Sequence, residues 1–133
     1  MRMVLLDTVG LLALWELRDQ WHTDARRAME SLRAQPIRLM TTSAILLECG
    51  NAAARKPYRA DVEQLRADMA RSGSLITPTV EDEELAWRDY RVGAAGEAGI
   101  VDHLSFVVMR RLNIADAFTN DQHFNVAGFN VLF

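Results

Sequence analysis

Apolar and polar positions follow one another in blocks that predict alternating strands and helices. The first block, Met3-Val4-Leu5-Leu6, is an unbroken apolar run that ends at Asp7, and such a run predicts a buried strand. Blocks with apolar residues three or four positions apart predict amphipathic helices. The predicted strands cover residues 2–6, 37–41, 75–78, 114–119 and 129–133. The predicted helices cover residues 8–16, 22–34, 44–54, 59–71, 79–90 and 101–112, with a short helical turn at 121–127.

Residues typical of helix ends mark several of these boundaries. Ser43 is a good N-cap for the third helix, and Thr79 with the acidic residues behind it forms a capping signature for the fifth. Asn113 is a suitable C-cap for the sixth helix. Residues 93–99 are small and rich in glycine, so they predict a flexible loop.

The alternation of strands and helices predicts a single α/β domain spanning residues 1–133. Parallel strands joined by right-handed crossovers would place helices on both faces of the sheet. The apolar runs are all far shorter than the roughly 20 residues that cross a bilayer, and Asp7 interrupts the N-terminal run at once, unlike a signal peptide. We therefore expect a cytoplasmic protein, with the one cysteine, Cys49, buried as a small apolar residue.

The net charge of −3 excludes an ordinary basic nucleic-acid-binding domain. Binding to a nucleic acid would have to rely on local arginines or on bound cations. The most acidic segment, residues 81–84, predicts a solvated face at a helix N-terminus.

Four carboxylates stand at positions that suit a common site. Asp7 and Asp121 each follow a predicted strand, so both fall at the carboxyl edge of a parallel sheet, where ligands bind in open α/β folds. Asp102 lies in the first turn of a helix, and Glu48 lies in a strongly apolar helix. Each acid alone is explained equally well as a helix cap, a turn residue or a surface residue. Together they would repel one another unless a cation intervened.

A divalent cation is the usual counter-charge for such a group of acids. Oxygen ligands suit Mg²⁺ or Mn²⁺, and these ions serve phosphodiester hydrolysis. Thr8 and Thr119 would support the acids with their hydroxyls or act only as helix caps. Asn51 lies one helical turn after Glu48 and either holds it in place or faces solvent.

Three further polar residues are predicted to be structural. Asp116 lies within the fourth strand and is expected to pair with an arginine. His103 and His123 flank the candidate acids in sequence, but hydrolysis assisted by a hard ion does not require an imidazole.

The chain resembles the PIN-domain family, specifically the VapC-type toxin ribonucleases of bacterial and archaeal toxin–antitoxin pairs. The resemblance covers essentially the whole chain and is strongest in the last two of its four motifs. The motifs are Leu5-Leu6-Asp7-Thr8, Thr41-Thr42-Ser43 through Glu48 and Asn51, Val101-Asp102-His103-Leu104-Ser105-Phe106-Val107-Val108-Met109-Arg110, and Ala117-Phe118-Thr119-Asn120-Asp121-Gln122-His123-Phe124.

The resemblance implies a parallel sheet of order 3-2-1-4-5 and metal-dependent endoribonuclease activity. It also implies a homodimer and a cognate antitoxin whose tail blocks the site. The acidic residues of the family match Asp7, Glu48, Asp102 and Asp121. Asp7, Asp102 and Asp121 would contact the Mg²⁺ or Mn²⁺ ion, and Glu48 would orient or deprotonate the attacking water.

Two segments depart from the usual pattern of that family. Val9-Gly10 stands where a small polar residue is common, and Gly99-Ile100-Val101 precedes Asp102 in place of a sequence that usually contains serine. Both departures remove polar groups beside the acids, so the resemblance implies weaker support for a bound ion.

Other α/β classes lack their required residues here. A phospho-receiver domain needs a late lysine, whereas Lys56 is the only lysine, and an Asp-x-Asp phosphatase needs an acid at Val9. The chain contains no glycine-rich nucleotide-binding motif. Two alternatives remain open: a catalytically weak PIN-like module that binds RNA or protein, and a PIN nuclease of RNA maturation.

Overall fold

The computed structural model describes residues 1–133 as five strands and seven helices in one α/β fold. The strands are β1 Arg2–Leu6, β2 Ile37–Thr42, β3 Leu75–Ile76, β4 Asp116–Phe118 and β5 Asn130–Val131. The helices are α1 Thr8–Trp15, α2 His22–Arg33, α3 Ser43–Ala52, α4 Arg59–Arg71, α5 Val80–Val92, α6 Ile100–Leu112 and α7 Gln122–Val126.

The sheet has the order β3-β2-β1-β4-β5, and all its strands are parallel. This confirms the order implied by the family resemblance. β1 is the central strand, and Val4 lies between Leu39 of β2 and Asp116 of β4. The strands therefore end together at one edge, where β1 leads into Asp7 and β4 leads into Thr119.

The core forms where the helices cover this sheet. Val4 and Leu5 of β1 are completely buried, as an apolar strand covered on both faces requires. Phe106 of α6 packs edge-to-face on Phe124 of α7, with ring centroids 4.9 Å apart, and Phe124 is also completely buried. This contact fixes α7, and with it the segment that carries Asp121, against α6.

Several boundaries differ from the prediction by a few residues. β3, β4 and β5 are shorter than predicted because only part of each extended segment pairs with its neighbour. The prediction of Ser43 as the cap of α3 was wrong by one position: the Thr42 hydroxyl accepts the hydrogen bond from Ile45 N at 3.1 Å. Gly93 ends α5 with a φ of 66°, a conformation that glycine adopts without strain.

The acidic run at the start of α5 is not uniformly solvated, so that prediction is corrected. Asp82 is only 2% exposed and accepts two hydrogen bonds from Arg111 of α6, at 2.9 and 2.6 Å. It also accepts from Thr79 N and completes a capping box with that residue. The arginine and these hydrogen bonds lower the pKa of Asp82, so this acid joins α5 to α6.

The expected arginine partner of Asp116 is Arg2, whose Nε donates to Asp116 Oδ2 at 2.8 Å. Cys49 is completely buried, as predicted. None of the helices combines the length and the apolar character that crossing a membrane would require.

Candidate active site

Asp7 is the most buried acid of the site. It follows β1 directly, is 1% exposed and caps α1 by accepting from Val9 N at 3.4 Å. Its Oδ2 also accepts from the Thr119 hydroxyl at 2.8 Å, whereas its Oδ1 is buried without any hydrogen-bond partner. Burial raises the pKa of Asp7 to about 7; the Thr119 hydrogen bond opposes this rise and the charge of Asp102 adds to it.

Thr119 connects Asp7 to Asp121. Its hydroxyl donates to Asp7 and accepts from the backbone N of Asp121 at 3.1 Å. The Thr119 side chain is completely buried, so the link is shielded from water. The structure shows a hydrogen bond from the Thr119 hydroxyl to an acid, and the role of Thr119 at a metal site stays a prediction.

Asp121 caps α7 and is held there by His123. Its Oδ1 accepts both from His123 N at 2.9 Å and from His123 Nδ1 at 2.8 Å. Its Oδ2 accepts no hydrogen bond from the protein, so one oxygen of this carboxylate is available to a ligand.

Asp102 lies in the first turn of α6, and its Oδ2 accepts from Gly99 N at 3.3 Å. Partial burial, together with the negative charges of Asp121 and Glu48, raises the pKa of Asp102 to about 6. Asp102 is therefore close enough to both acids to sense their charge.

Glu48 is exposed at the surface of α3. Its Oε1 accepts a hydrogen bond of 2.6 Å from the hydroxyl of Thr8, the first residue of α1. Thr8 therefore ties Glu48 to the segment that carries Asp7. Asn51 is exposed and donates no hydrogen bond to Glu48, and it lines a cavity of about 440 Å³ between α3 and α4.

The acids approach one another to different degrees. Ligand atoms of Asp102, Asp121 and His123 all lie within 4.8 Å of one another. Asp7 and Glu48 lie outside that tight group but close to it. The charge of Glu48 raises the pKa of Asp102, and the charge of Asp102 raises the pKa of Asp7. His123 also belongs to this group, although its sequence context predicts a structural residue; its spacing of two residues from Asp121 is typical of a contact at a helix N-cap.

The donor set fits a hard divalent cation. Its oxygens belong to three acids, and two of these have raised pKa values because burial and like charges disfavour their ionisation. A buried carboxylate oxygen without a partner, such as Asp7 Oδ1, is costly in a folded protein unless a cation or water satisfies it. The site therefore offers the oxygen ligands that hard divalent cations prefer.

Gly10 has a steric role where the family pattern led us to expect a polar residue. It is buried against the end of β4, and a Cβ on it would overlap the Phe118 carbonyl, lying 2.8 Å from the carbonyl carbon. Only glycine lets α1 approach β4 this closely. This close approach of α1 to β4 places Asp7 within hydrogen-bonding distance of Thr119. Gly10 therefore contributes to the site through packing and not through a polar side chain.

The chain belongs to the PIN-domain family. The family model described as "PIN domain" matches residues 4–130, which run from within β1 to the start of β5 and include all four candidate acids.

The relatives found are VapC-type proteins, as the sequence motifs suggested. The 23S rRNA-specific endonuclease VapC20 of Mycobacterium tuberculosis (strain CDC 1551 / Oshkosh) is 30% identical over 128 residues, or 96% of this chain and 95% of that protein. The protein of the same name from strain ATCC 25618 / H37Rv has the same identity and coverage. The crystal structure of M. tuberculosis VapC20, described as a sarcin–ricin loop cleaving toxin, has a TM-score of 0.79 and 28% identity over 95% of both chains.

Proposed function

We propose that this protein is a metal-dependent endoribonuclease that acts as the toxin of a toxin–antitoxin pair. The observation that carries the proposal is the buried, partnerless Oδ1 of Asp7 next to Asp102 and Asp121 at the carboxyl edge of the sheet. Membership of the PIN-domain family and likeness to an endonuclease support it.

Asp7, Asp102 and Asp121 would hold the Mg²⁺ or Mn²⁺ ion. A bound ion of this kind lowers the pKa of water and neutralises charge on a scissile phosphate. The protein contributes the orientation of its ligands: Thr119 holds Asp7, and Gly99 N holds Asp102. Glu48, kept at the edge of the site by Thr8, would orient the attacking water and accept its proton.

Ribosomal RNA is the first substrate class to test. The relative named above, VapC20, is a 23S rRNA-specific endonuclease and is described as a toxin that cleaves the sarcin–ricin loop. We extend this to the present chain as a proposal: a structured loop of large-subunit rRNA is cut at a defined phosphodiester bond. Such loops are recognised mainly by shape and by their unstacked bases.

The test is incubation of the purified protein with intact ribosomes, with a 23S rRNA hairpin transcript and with a 16S rRNA transcript. Each reaction is run with Mg²⁺, with Mn²⁺ and with EDTA, and an Asp7→Asn variant is the matched control. We expect cleavage of the 23S substrates that requires both the metal and Asp7. Cleavage that survives EDTA or the Asp7→Asn change would overturn the assigned centre.

If no substrate is cut and no divalent cation binds, the endonuclease proposal fails. The chain would then be a PIN-like module that binds RNA or protein without cutting. Cleavage restricted to precursor transcripts would instead support a role in RNA maturation.

The same proposal includes two protein partners and a cytoplasmic location, where ribosomes are found. Exposed apolar side chains occur on α5, where Trp87 is 51% and Tyr90 49% exposed, and after α1, where Leu17 is 78% exposed. Such residues suit interfaces: a homodimer contact and a surface for the antitoxin. Light scattering on the purified protein, alone and coexpressed with the product of an adjacent small gene, tests both partners.

A further inference from the structure

His123 makes an unusual double contact with Asp121. Both the backbone N and the ring Nδ1 of His123 donate to one oxygen, Asp121 Oδ1, at 2.9 and 2.8 Å. A backbone contact alone would be an ordinary helix cap. The additional ring contact is not needed for capping and restrains the carboxylate from a second direction.

This double contact divides the two oxygens of Asp121 between two roles. Oδ1 is taken up by His123, and Oδ2 accepts no hydrogen bond from the protein. A carboxylate pinned at one oxygen keeps a fixed orientation and presents the other oxygen with little loss of conformational entropy. The Asp121 carboxylate belongs to the group that also includes Asp102, with one ligand atom of each residue within 4.8 Å of the others.

The same contact determines which ring nitrogen carries the proton. A carboxylate oxygen can only accept, so Nδ1 of His123 is the protonated nitrogen. With Nδ1 engaged as a donor to Asp121, that nitrogen has no lone pair to offer a cation. Only Nε2 keeps a lone pair that could reach a cation, so the hydrogen bond from Nδ1 gives His123 a role that acts through Asp121.

We infer that His123 is a positioning residue for the metal centre: it holds Asp121 through Oδ1 so that Oδ2, together with Asp102, faces the divalent cation. The inference rests on the proposed function, because it assumes that Asp121 is a metal ligand. The inference adds His123 to the four acids of the proposed site, as a residue that acts on Asp121 through a hydrogen bond.

The test compares three substitutions at His123 by Mn²⁺ binding, measured by calorimetry and by the electron paramagnetic resonance signal of free Mn²⁺. In His123→Asn the amide nitrogen takes the place of Nδ1, so the donor is kept. In His123→Gln the donor lies one bond further out, and His123→Leu has no donor. The side chain of His123 is 41% exposed, so we expect all three variants to fold, which circular dichroism checks.

We expect His123→Leu to weaken Mn²⁺ binding by about 10- to 100-fold, the usual cost of losing a partner of a metal ligand. His123→Asn should recover most of the lost affinity and His123→Gln should not. The Mn²⁺ concentration needed for half-maximal RNA cleavage should rise in the same order. Rescue by asparagine separates a hydrogen-bonding role from a merely structural one.

Three outcomes would contradict the inference, and one of them would also contradict the proposed metal centre. Unchanged Mn²⁺ affinity in His123→Leu would overturn the positioning role alone. Equal losses in the asparagine and leucine variants, with nitrogen coupling in the Mn²⁺ spectrum of the wild-type protein, would show a direct ligand instead. Failure of the wild-type protein to bind Mn²⁺ would overturn the proposed metal centre itself.

Discussion

The Thr119 hydroxyl donates to Asp7 Oδ2 at 2.8 Å inside the protein, between the ends of two neighbouring strands. Thr119 supplies the only side-chain hydrogen-bond donor to Asp7. Burial disfavours the ionised form of this carboxylate, and the hydrogen bond favours it. Thr119 therefore favours the ionised form of Asp7, the form in which a carboxylate can bind a cation.

Thr119→Val should make Asp7 harder to ionise. The substitution keeps the shape and removes the donor, so the pKa of Asp7 should rise further above its present value of about 7. A hydrogen bond of about 1.5 kcal/mol to a charged group corresponds to roughly one pH unit. The pH at which Mn²⁺ binding is half-maximal should move up by about that amount, measured by calorimetry between pH 6 and 9. Thr119→Ser, which keeps the hydroxyl, is the control, and a valine profile that superimposes on the wild type would refute the link.

The metal-free protein should lose stability as the pH rises from about 4 to about 7. The pKa of Asp7 in the folded state is about 7, against 3.8 for an ordinary aspartate, so the folded protein binds the extra proton in this interval. By linkage, its free energy of unfolding falls with rising pH, by roughly 3 to 4 kcal/mol over the whole interval. Urea unfolding in EDTA at pH 4.5, 6 and 8 measures this.

Asp7→Asn provides the comparison for that experiment. Because asparagine does not titrate, the variant should resemble the wild type at pH 4.5 and exceed its stability at pH 8. Parallel stability curves for the two proteins would show that Asp7 ionises normally. Asp102, whose pKa is raised to about 6, contributes in the same direction in both proteins.

Divalent cations should restore the stability that the metal-free protein loses at high pH, and a chelator should remove it again. A ligand at 100 times its dissociation constant stabilises a protein by about 2.7 kcal/mol, which raises the melting temperature of a domain of this size by about 10 °C. We expect such a rise with Mg²⁺ or Mn²⁺ at pH 8, and none after addition of EDTA. Asp102→Asn should remove most of the rise, and an equal rise in that variant would place the ion elsewhere.

Gly10→Ala should destabilise the fold and displace the site. The added Cβ would overlap the Phe118 carbonyl, and overpacking of this kind costs about 1–3 kcal/mol. Gly50→Ala is the matched control: nothing lies within 4 Å of a Cβ at that helical position, so it should stabilise by about 0.5–1 kcal/mol. Urea unfolding compares the two, and a neutral Gly10→Ala would contradict the close approach of α1 to β4.

Arg111→Met should leave Asp82 buried without its charged partner. Asp82 is only 2% exposed, but the Arg111 side chain is 42% exposed, so water screens part of the interaction and we expect a loss of about 2 kcal/mol. Since Arg111 lowers the pKa of Asp82, the stability that it supplies is present above pH 4 and is lost on acidification. Unfolding curves at pH 7 and 3 test this. Arg91→Met, at an exposed arginine without an ion pair, should change little at either pH.

The sequence was informative wherever a residue's place depends on the order of the strands. Asp7 and Asp121 follow strands, and the parallel topology alone brings strand ends together, so their proximity could be predicted. The support from Thr119 was foreseen as one of two options because the hydroxyl follows the same strand.

Features that depend on the rotation of one helix against another were not foreseen. The four acids of residues 81–84 look alike in sequence, and only the packing of α5 on α6 turns Asp82 inward to Arg111. The contact of His123 with Asp121 needed the ring orientation, and Gly10 looked like the loss of a polar group until the Phe118 carbonyl was located. Asn51 has the spacing to reach Glu48, but no hydrogen bond joins them.

The hydrogen bond between Thr119 and Asp7 joins residues 112 positions apart in the chain. Pairing of β4 with β1 closes this loop, and contacts of such long range form late because the chain must first be brought together. During translation, Asp7 leaves the ribosome long before Asp121 has been added. A nascent chain therefore holds its acids apart, and the acidic cluster cannot assemble until synthesis has passed β4. If ribosomal RNA is the substrate, the ribosome that makes this protein is not exposed to an assembled cutting site while most of the chain is being synthesised.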